Sequence, residues 1–346
     1  MKKSRNLISL LLMSIALLGL FLVDVVTAER SVSFDVPPIL ALKIVASHIL
    51  PFLHLKVDPF LNFIVWESRV PMAIGGVIVG ALLAMAGVAF QSLLRNPLAD
   101  PYMIGVSAGS ALGSVLVVLL GGAGLMFGLL QPAAAFGAGL LTMTVVYQMS
   151  RYNGRLSTQS FLLAGIVVGT FMWSLLQLSV ALALRSHDPG KAQTIIAQQL
   201  GNLGGVSWLS LGLLLPFGII GMIVLAISWR ELNLMALGEE SAAHLGVNTE
   251  GFKRKVILAG SLVTAATVST AGIIAFVGMI VPHIARRLVG PDHRFLLPAS
   301  MLLGGLTLLF ALWLSRVFFN GLEIGVITSL MGAPLFCYLL RQKGSK

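Results

Sequence analysis

The chain has 346 residues, 57% of them hydrophobic and only 10% charged, against about a quarter charged in soluble proteins, so a soluble globule is excluded. The formal net charge of +10 comes from few acids, 13 against 23 Lys and Arg, rather than from a basic tract, and it does not indicate a nucleic-acid partner. A lone cysteine, Cys337, excludes an internal disulfide.

Membrane spans lie in the gaps between charges. A helical span takes about 20 apolar residues, and a charge at its centre costs about 2.5–3.5 kcal/mol on insertion scales. Residues 6–23 follow Lys2, Lys3 and Arg5 and predict a first span or signal anchor; the ending Val26, Thr27, Ala28 also fits a cleavable signal peptide. Residues 24–68 contain Pro37, Pro38, Pro51 and Pro59 and no run of membrane length, which predicts an external loop with one short surface helix. The core follows over residues 69–340. Residues 70–94 predict one span, and residues 101–150, interrupted by Gly121, Gly122, Gly124 and Pro132, predict two. Residues 156–184 and 192–229 predict one each. Residues 256–285, with Gly272, Gly278 and Pro282, predict one helix and a short or broken one, and residues 295–315 and 324–340 complete the series.

Short basic loops stay on the cytoplasmic side, which decides between nine spans and ten. Ten spans with the N-terminus inside place sixteen of the 23 bases and six of the 13 acids on the inner face, and seven of each outside. The whole net charge then sits inside, with both termini cytoplasmic. The expected fold is all-α: a polytopic membrane protein of about ten transmembrane helices, forming a single domain over residues 1–346.

Within the spans, small residues recur four apart at Gly76 and Gly80, at Gly105, Gly109 and Gly113, and at Gly165 and Gly169, a spacing that lets helix backbones approach closely in lipid. Glu67, Arg69, Arg316 and Glu323 fall near span ends, and no ionisable group sits where a proton relay belongs, which disfavours proton coupling. Gly190–Lys191 is followed by Ala192 and lacks the leading glycine of a Walker A loop, so this chain has no such ATP site. His283 has no second metal ligand at ligand spacing and reads as a hydrogen-bonded interfacial residue.

Two segments on the predicted cytoplasmic side stand out. Residues 94–102 carry two prolines and an Asn96–Pro97 turn between helices. Residues 229–255 form the longest such loop, and Leu232, Leu234, Met235, Leu237, Ala242 and Leu245 recur there at helical spacing beside Glu239 and Glu240. A solvated loop needs no apolar stripe, so a short amphipathic helix that docks on another protein is expected.

These segments resemble the FecCD family of permeases, the membrane subunits of ATP-driven importers of iron-siderophore, haem and vitamin B12. The resemblance rests on Arg69-Val70-Pro71, on Gln91-Ser92-Leu93-Leu94-Arg95-Asn96-Pro97-Leu98-Ala99-Asp100-Pro101-Tyr102, on Leu237-Gly238-Glu239-Glu240-Ser241-Ala242, on the stretch from Phe276 through Pro282 and His283 to Arg286, and on Gly325 to Pro334. It covers residues 69–340 and implies the type II ABC importer permease fold. It further implies a second permease copy (the same chain or a close homologue), two cytoplasmic ATPase subunits that hold ATP and Mg with no cofactor on this chain, and an extracytoplasmic substrate-binding protein, all at a bacterial inner membrane. By resemblance, Leu237, Gly238, Glu239, Glu240, Ala242, Leu245 and Gly246 form the ATPase coupling loop. Asn96, Leu98, Ser157 and Thr158 match a cytoplasmic gate, and Arg69 and Arg316 match arginines that receive the binding protein. Met72, Leu312 and Gly321 depart from the family pattern at the outer mouth. The expected cargo is a ferric siderophore, with haem and vitamin B12 as alternatives; a secondary transporter or channel is the competing class.

Overall fold

The computed structural model describes residues 2–27, 36–50, 57–121, 124–152, 155–186 and 188–344. Helix α1 (Lys2–Val26) takes up the first apolar run. Helix α2 (Pro38–Ile49) opens on Pro38, whose missing N–H belongs to a position with no intrahelical partner anyway. Helix α3 (Pro59–Asn62) is capped by Asp58, whose carboxylate accepts the N–H groups of Phe60 and Leu61 at 2.9 and 3.2 Å. It runs without interruption through a π-helical segment, Phe63–Arg69, into α4 (Val70–Leu94). The predicted external loop of residues 24–68 therefore holds the end of α1, a separate helix and the first turns of a 36-residue rod, Pro59–Leu94.

A 3-10 turn, Pro101–Ile104, is capped by Asp100, which accepts the Tyr102 N–H at 2.9 Å. Then follow α5 (Val106–Leu119) and α6 (Gly124–Met149), the two-residue hairpin β1 (Arg151–Tyr152) and β2 (Arg155–Leu156), and α7 (Thr158–Arg185). After α8 (Pro189–Leu200) and α9 (Trp208–Ile227) come the short α10 (Trp229–Ala236) and α11 (Glu239–His244). The chain ends in α12 (Thr249–Ala271), α13 (Val277–Val289), α14 (His293–Phe318) and α15 (Ile324–Gly344).

The ten predicted spans correspond to α1, α4, α5, α6, α7, α9, α12, α13, α14 and α15. Six helices among the described residues are long and apolar enough to cross a membrane: α1, the rod ending in α4, α6 from Gly128, α7, α9 and α14. Their outward faces carry exposed apolar side chains, among them Leu11 and Ile15 on α1, Val167 and Phe171 on α7 and Ile220 on α9. In water such faces are a liability; against lipid they are the matching surface. Helix α8 was not anticipated, because all of it after Lys191 falls inside the uncharged run 192–229, which predicts a single span. Its signals are local: Asp188 accepts the Gly190 N–H at 3.1 Å, Pro189 starts the helix, and Gly201 at φ +73° ends it.

Helices α5 and α13 have 14 and 13 residues, about 20 Å each at 1.5 Å per residue, and are too short to span alone. Each follows an irregular segment, and the two segments meet. The Ile274 N–H, freed by the break between α12 and α13, donates to Tyr102 Oη at 3.1 Å. Irregular backbone at membrane depth is tolerated where protein satisfies its polar groups, as it does here.

Side-chain contacts sort the helix ends into two sets. At one end Asn6 Nδ2 donates to the Val289 carbonyl, Arg286 reaches Gln91 and Lys255 pairs with Glu231. This set contains the segments predicted to be cytoplasmic. The other holds Arg316 against Asp24 and a tryptophan cluster in which Trp66 stacks on His48 and Trp208 Nε1 donates to the Trp66 carbonyl at 2.9 Å. Trp and His at that level suit a membrane–water interface.

Candidate functional site

At the basic end, the apolar stripe of residues 232–245 divides into two parts. Leu232, Met235 and Ala242 are buried and anchor the α10–α11 unit, while Leu237 and Leu245 are 68% and 60% exposed. Between the helices Gly238 has φ +125°, a backbone state closed to side chains with a Cβ, and its carbonyl accepts the Ala242 N–H at 2.9 Å. Gly246 at φ +85° ends the unit, and Asn248 caps α12 by accepting the Gly251 N–H. The result is a rigid protrusion with two leucines on its outside.

Polar bonds fasten this unit to the helices behind it. Asn233 Nδ2 donates to Asp292 Oδ1 at 2.9 Å, while Asn233 Oδ1 accepts the His293 N–H at 3.0 Å. The His293 ring bridges Asn233, at 2.7 Å, and Ser92 on α4, at 2.6 Å. Glu231 meets Lys255 at 2.9 Å; partial burial disfavours its charge, but the Lys255 ammonium outweighs this and holds the carboxyl below its ordinary range. Glu239 meets the buried Lys253 at 2.5 Å. The loop is thus tied to α4, α12 and α14 together. A cavity of about 240 Å³ opens beside it, lined by Arg95, Arg286 and His293 among others.

The residues matched to a cytoplasmic gate lie on two separate turns of this end. Asn96 Oδ1 accepts the Leu98 N–H at 2.9 Å and shapes the proline turn, leaving Leu98 at the surface. Ser157 caps α7 by accepting the Ser160 N–H, and Thr158 begins that helix. The 3-10 turn after Asn96 packs against α7, where Gly105 sits so close to Gly165 and Gly169 that a Cβ would lie 3.0 Å from the Gly165 carbonyl oxygen.

At the opposite end, Arg69 and Arg316 are both buried, 5% and 3% exposed. Arg316 Nη2 donates to the backbone carbonyls of Asp24 and Thr27 at 2.5 and 2.9 Å and lies 3.6 Å from the fully buried Asp24 carboxylate. Asp24 belongs to α1 and ties the end of that helix to α14. Arg316→Met takes from that carboxylate its nearest cation and leaves it the weaker attraction of Arg69, a loss approaching the roughly 3–5 kcal/mol found for broken buried pairs. The melting temperature of the detergent-solubilised variant should fall clearly, and Asp24→Asn in the same chain should restore part of it; equal melting of single and double variants would refute the pairing. Nearby, a cavity of about 510 Å³ between α6, α8, α9 and α12 is lined by uncharged polar groups, among them Gln131, Gln193, Gln198 and Asn202.

Asp24, Glu250 and Lys253 had no place in the sequence-based site. Each carries only a charge sign in the sequence, and what gives it a place is a distant partner: Arg316 for Asp24, and the backbone of Leu156 for Glu250 and Lys253.

The FecCD transport family model matches residues 32–342. A cobalamin import system permease protein, BtuC, of Halobacterium salinarum is 41% identical over 280 residues, covering 81% of this chain and 74% of its own. An Fe(3+)-citrate import system permease protein, YfmE, of Bacillus subtilis is 31% identical over 347 residues, covering 100% and 98%. Among solved structures, a metal-chelate type ABC transporter in an inward-facing conformation superposes with a TM-score of 0.80 at 28% identity, covering 96% of this chain and 98% of that one. With the ten-helix arrangement and a family match over nine-tenths of its length, the chain belongs to the FecCD transport family of ABC-importer permeases.

Proposed function

We propose that this chain is the permease subunit of an ATP-driven importer that carries an iron chelate, a ferric siderophore, across the bacterial inner membrane, with both termini cytoplasmic. It works as a pair of permease copies, receives cargo from an extracytoplasmic binding protein, and is driven by two ATPase subunits that hold ATP and Mg. The α10–α11 protrusion carries this proposal: Leu237 and Leu245 are displayed at the basic end on a unit fastened to three helices. Such a unit transmits force rather than yielding to it.

An iron chelate is favoured by YfmE, matched over the whole chain, and by the metal-chelate transporter of similar fold. Cobalamin is the second cargo, favoured by the higher identity of the archaeal BtuC. The uncharged lining of the 510 Å³ cavity leaves choice of cargo to the binding protein. Vesicles holding the permease, its cognate ATPase and binding protein should accumulate a labelled ferric hydroxamate only with ATP. Cyanocobalamin accumulating instead would establish the second cargo, and uptake without ATP or ATPase would establish a secondary transporter or channel.

A further inference from the structure

Three contacts at the basic end converge on one ammonium group. Lys253, in the first turns of α12, is buried, and its Nζ lies 2.5 Å from Glu239 Oε1, 2.7 Å from Glu250 Oε1 and 3.1 Å from the Leu156 carbonyl oxygen. Glu250 closes the clamp from the other side, its Oε2 accepting the Leu156 N–H at 3.0 Å. Both backbone polar groups of Leu156 are therefore held by side chains of α12. Leu156 directly precedes Ser157, the residue that caps α7.

The chemistry favours a rigid joint. An ammonium group has three N–H donors, and here they meet one acceptor on α11, one on α12 and one at the approach to α7. Because the group is buried, losing any acceptor leaves one of its N–H donors unpaired, so the three elements move as one rather than separate. Burial by itself disfavours the charged form, but the hydrogen bonds that the ammonium donates to the Glu239 and Glu250 carboxylates outweigh it and raise the pKa of Lys253. The ammonium form, and with it the joint, persists through neutral pH.

We propose that Lys253 is the positioning residue that carries displacement of α11 to the start of α7, where Ser157 and Thr158 stand. The inference rests on the α10–α11 protrusion meeting the ATPase, and names the link by which that contact reaches the proposed gate. It accounts for a lysine among acids where a purely apolar anchor through Ala242 would already hold α11 in place.

Hydrogen exchange of the permease–ATPase complex, with and without nucleotide trapped by vanadate, separates the two ideas. In the wild-type complex, peptides covering 239–246 and 156–162 should both change their exchange rate on trapping. In Lys253→Met the first should still respond while the response of the second falls by roughly 3- to 30-fold, and Lys253→Arg should restore it. Glu239→Ala, which removes the acceptor on α11 and leaves Lys253 its other two, should show the same selective loss and serves if Lys253→Met does not fold. An undiminished response at 156–162 in these variants overturns the role of Lys253 alone. No response at 239–246 in the wild-type complex overturns the docking assignment beneath it.

Discussion

Gly87→Ala should leave little folded protein, although it adds a single methyl group to a helix and would ordinarily favour it. A Cβ at residue 87 would lie 1.8 Å from the Gly278 carbonyl oxygen and 2.6 Å from its carbon, and both are backbone atoms that cannot rotate away. Ordinary contact needs about 3.5 Å, so α4 and α13 would have to part. One turn further on, that separation would also break the bond from Gln91 Nε2 to the Met279 carbonyl, 2.9 Å long. Overpacking that flexible side chains can absorb costs about 1–3 kcal/mol; a clash between two backbones costs more. Gly212→Ala is the control, since nothing lies within 4 Å of its Cβ position and it faces outward on α9. Size-exclusion profiles and melting curves of tagged, detergent-solubilised variants measure the difference. A monodisperse Gly87→Ala protein with wild-type melting would show that the α4–α13 contact is looser than drawn.

The glycines illustrate what was legible in the sequence and what was not. Four-residue spacing correctly marked close-packing faces at Gly80, Gly105, Gly109 and Gly113, because only small residues permit such approach. It could not supply the partners: Gly80 meets Gly304 on α14, Gly105 meets Gly165 and Gly169, and Gly109 meets Thr142. Charge gaps bounded the ten predicted spans for an equally simple reason, the cost of an ion in lipid, although α5 shares one gap with α6 and α12 another with α13, and there glycine and proline marked the breaks. They missed α8 because it shares the uncharged run 192–229 with α9, and the first turns of the rod because Asp58, Glu67 and Arg69 leave no gap of membrane length there. Asp24 shows the limit most clearly. Its charge placed it just outside the first span, yet it is fully buried against Arg316, 292 residues away. A paired carboxylate can stay within the fold, and no local pattern announces the pairing. The resemblance reached back only to Arg69, whereas the family match begins at residue 32.

Replacing both Leu237 and Leu245 by aspartate should abolish uptake while leaving the permease folded. The two side chains are mostly exposed, so the isolated chain loses no core contact, whereas Ala242, fully buried beneath them, would not tolerate the same change. Against an ATPase, each leucine is worth about 1.5–3 kcal/mol on burial, and the pair therefore about two to four orders of magnitude in affinity. Placing carboxylates in an apolar cleft adds a further penalty. The expected result is a variant with wild-type melting that no longer retains its ATPase on purification and shows no ATP-driven uptake. Retention of the ATPase would remove the protrusion as its docking site. The charges of the loop make a second demand on the same interface. The Glu239 carboxylate is already engaged by Lys253, which leaves Glu240 as the exposed acid of α11, beside the exposed Ser241 and His244. Association through two leucines should then change little between low and high salt, because screening acts on exposed charges and not on buried apolar surface. If high salt released the wild-type ATPase as completely as the aspartates do, ion pairs rather than Leu237 and Leu245 would hold the two subunits together.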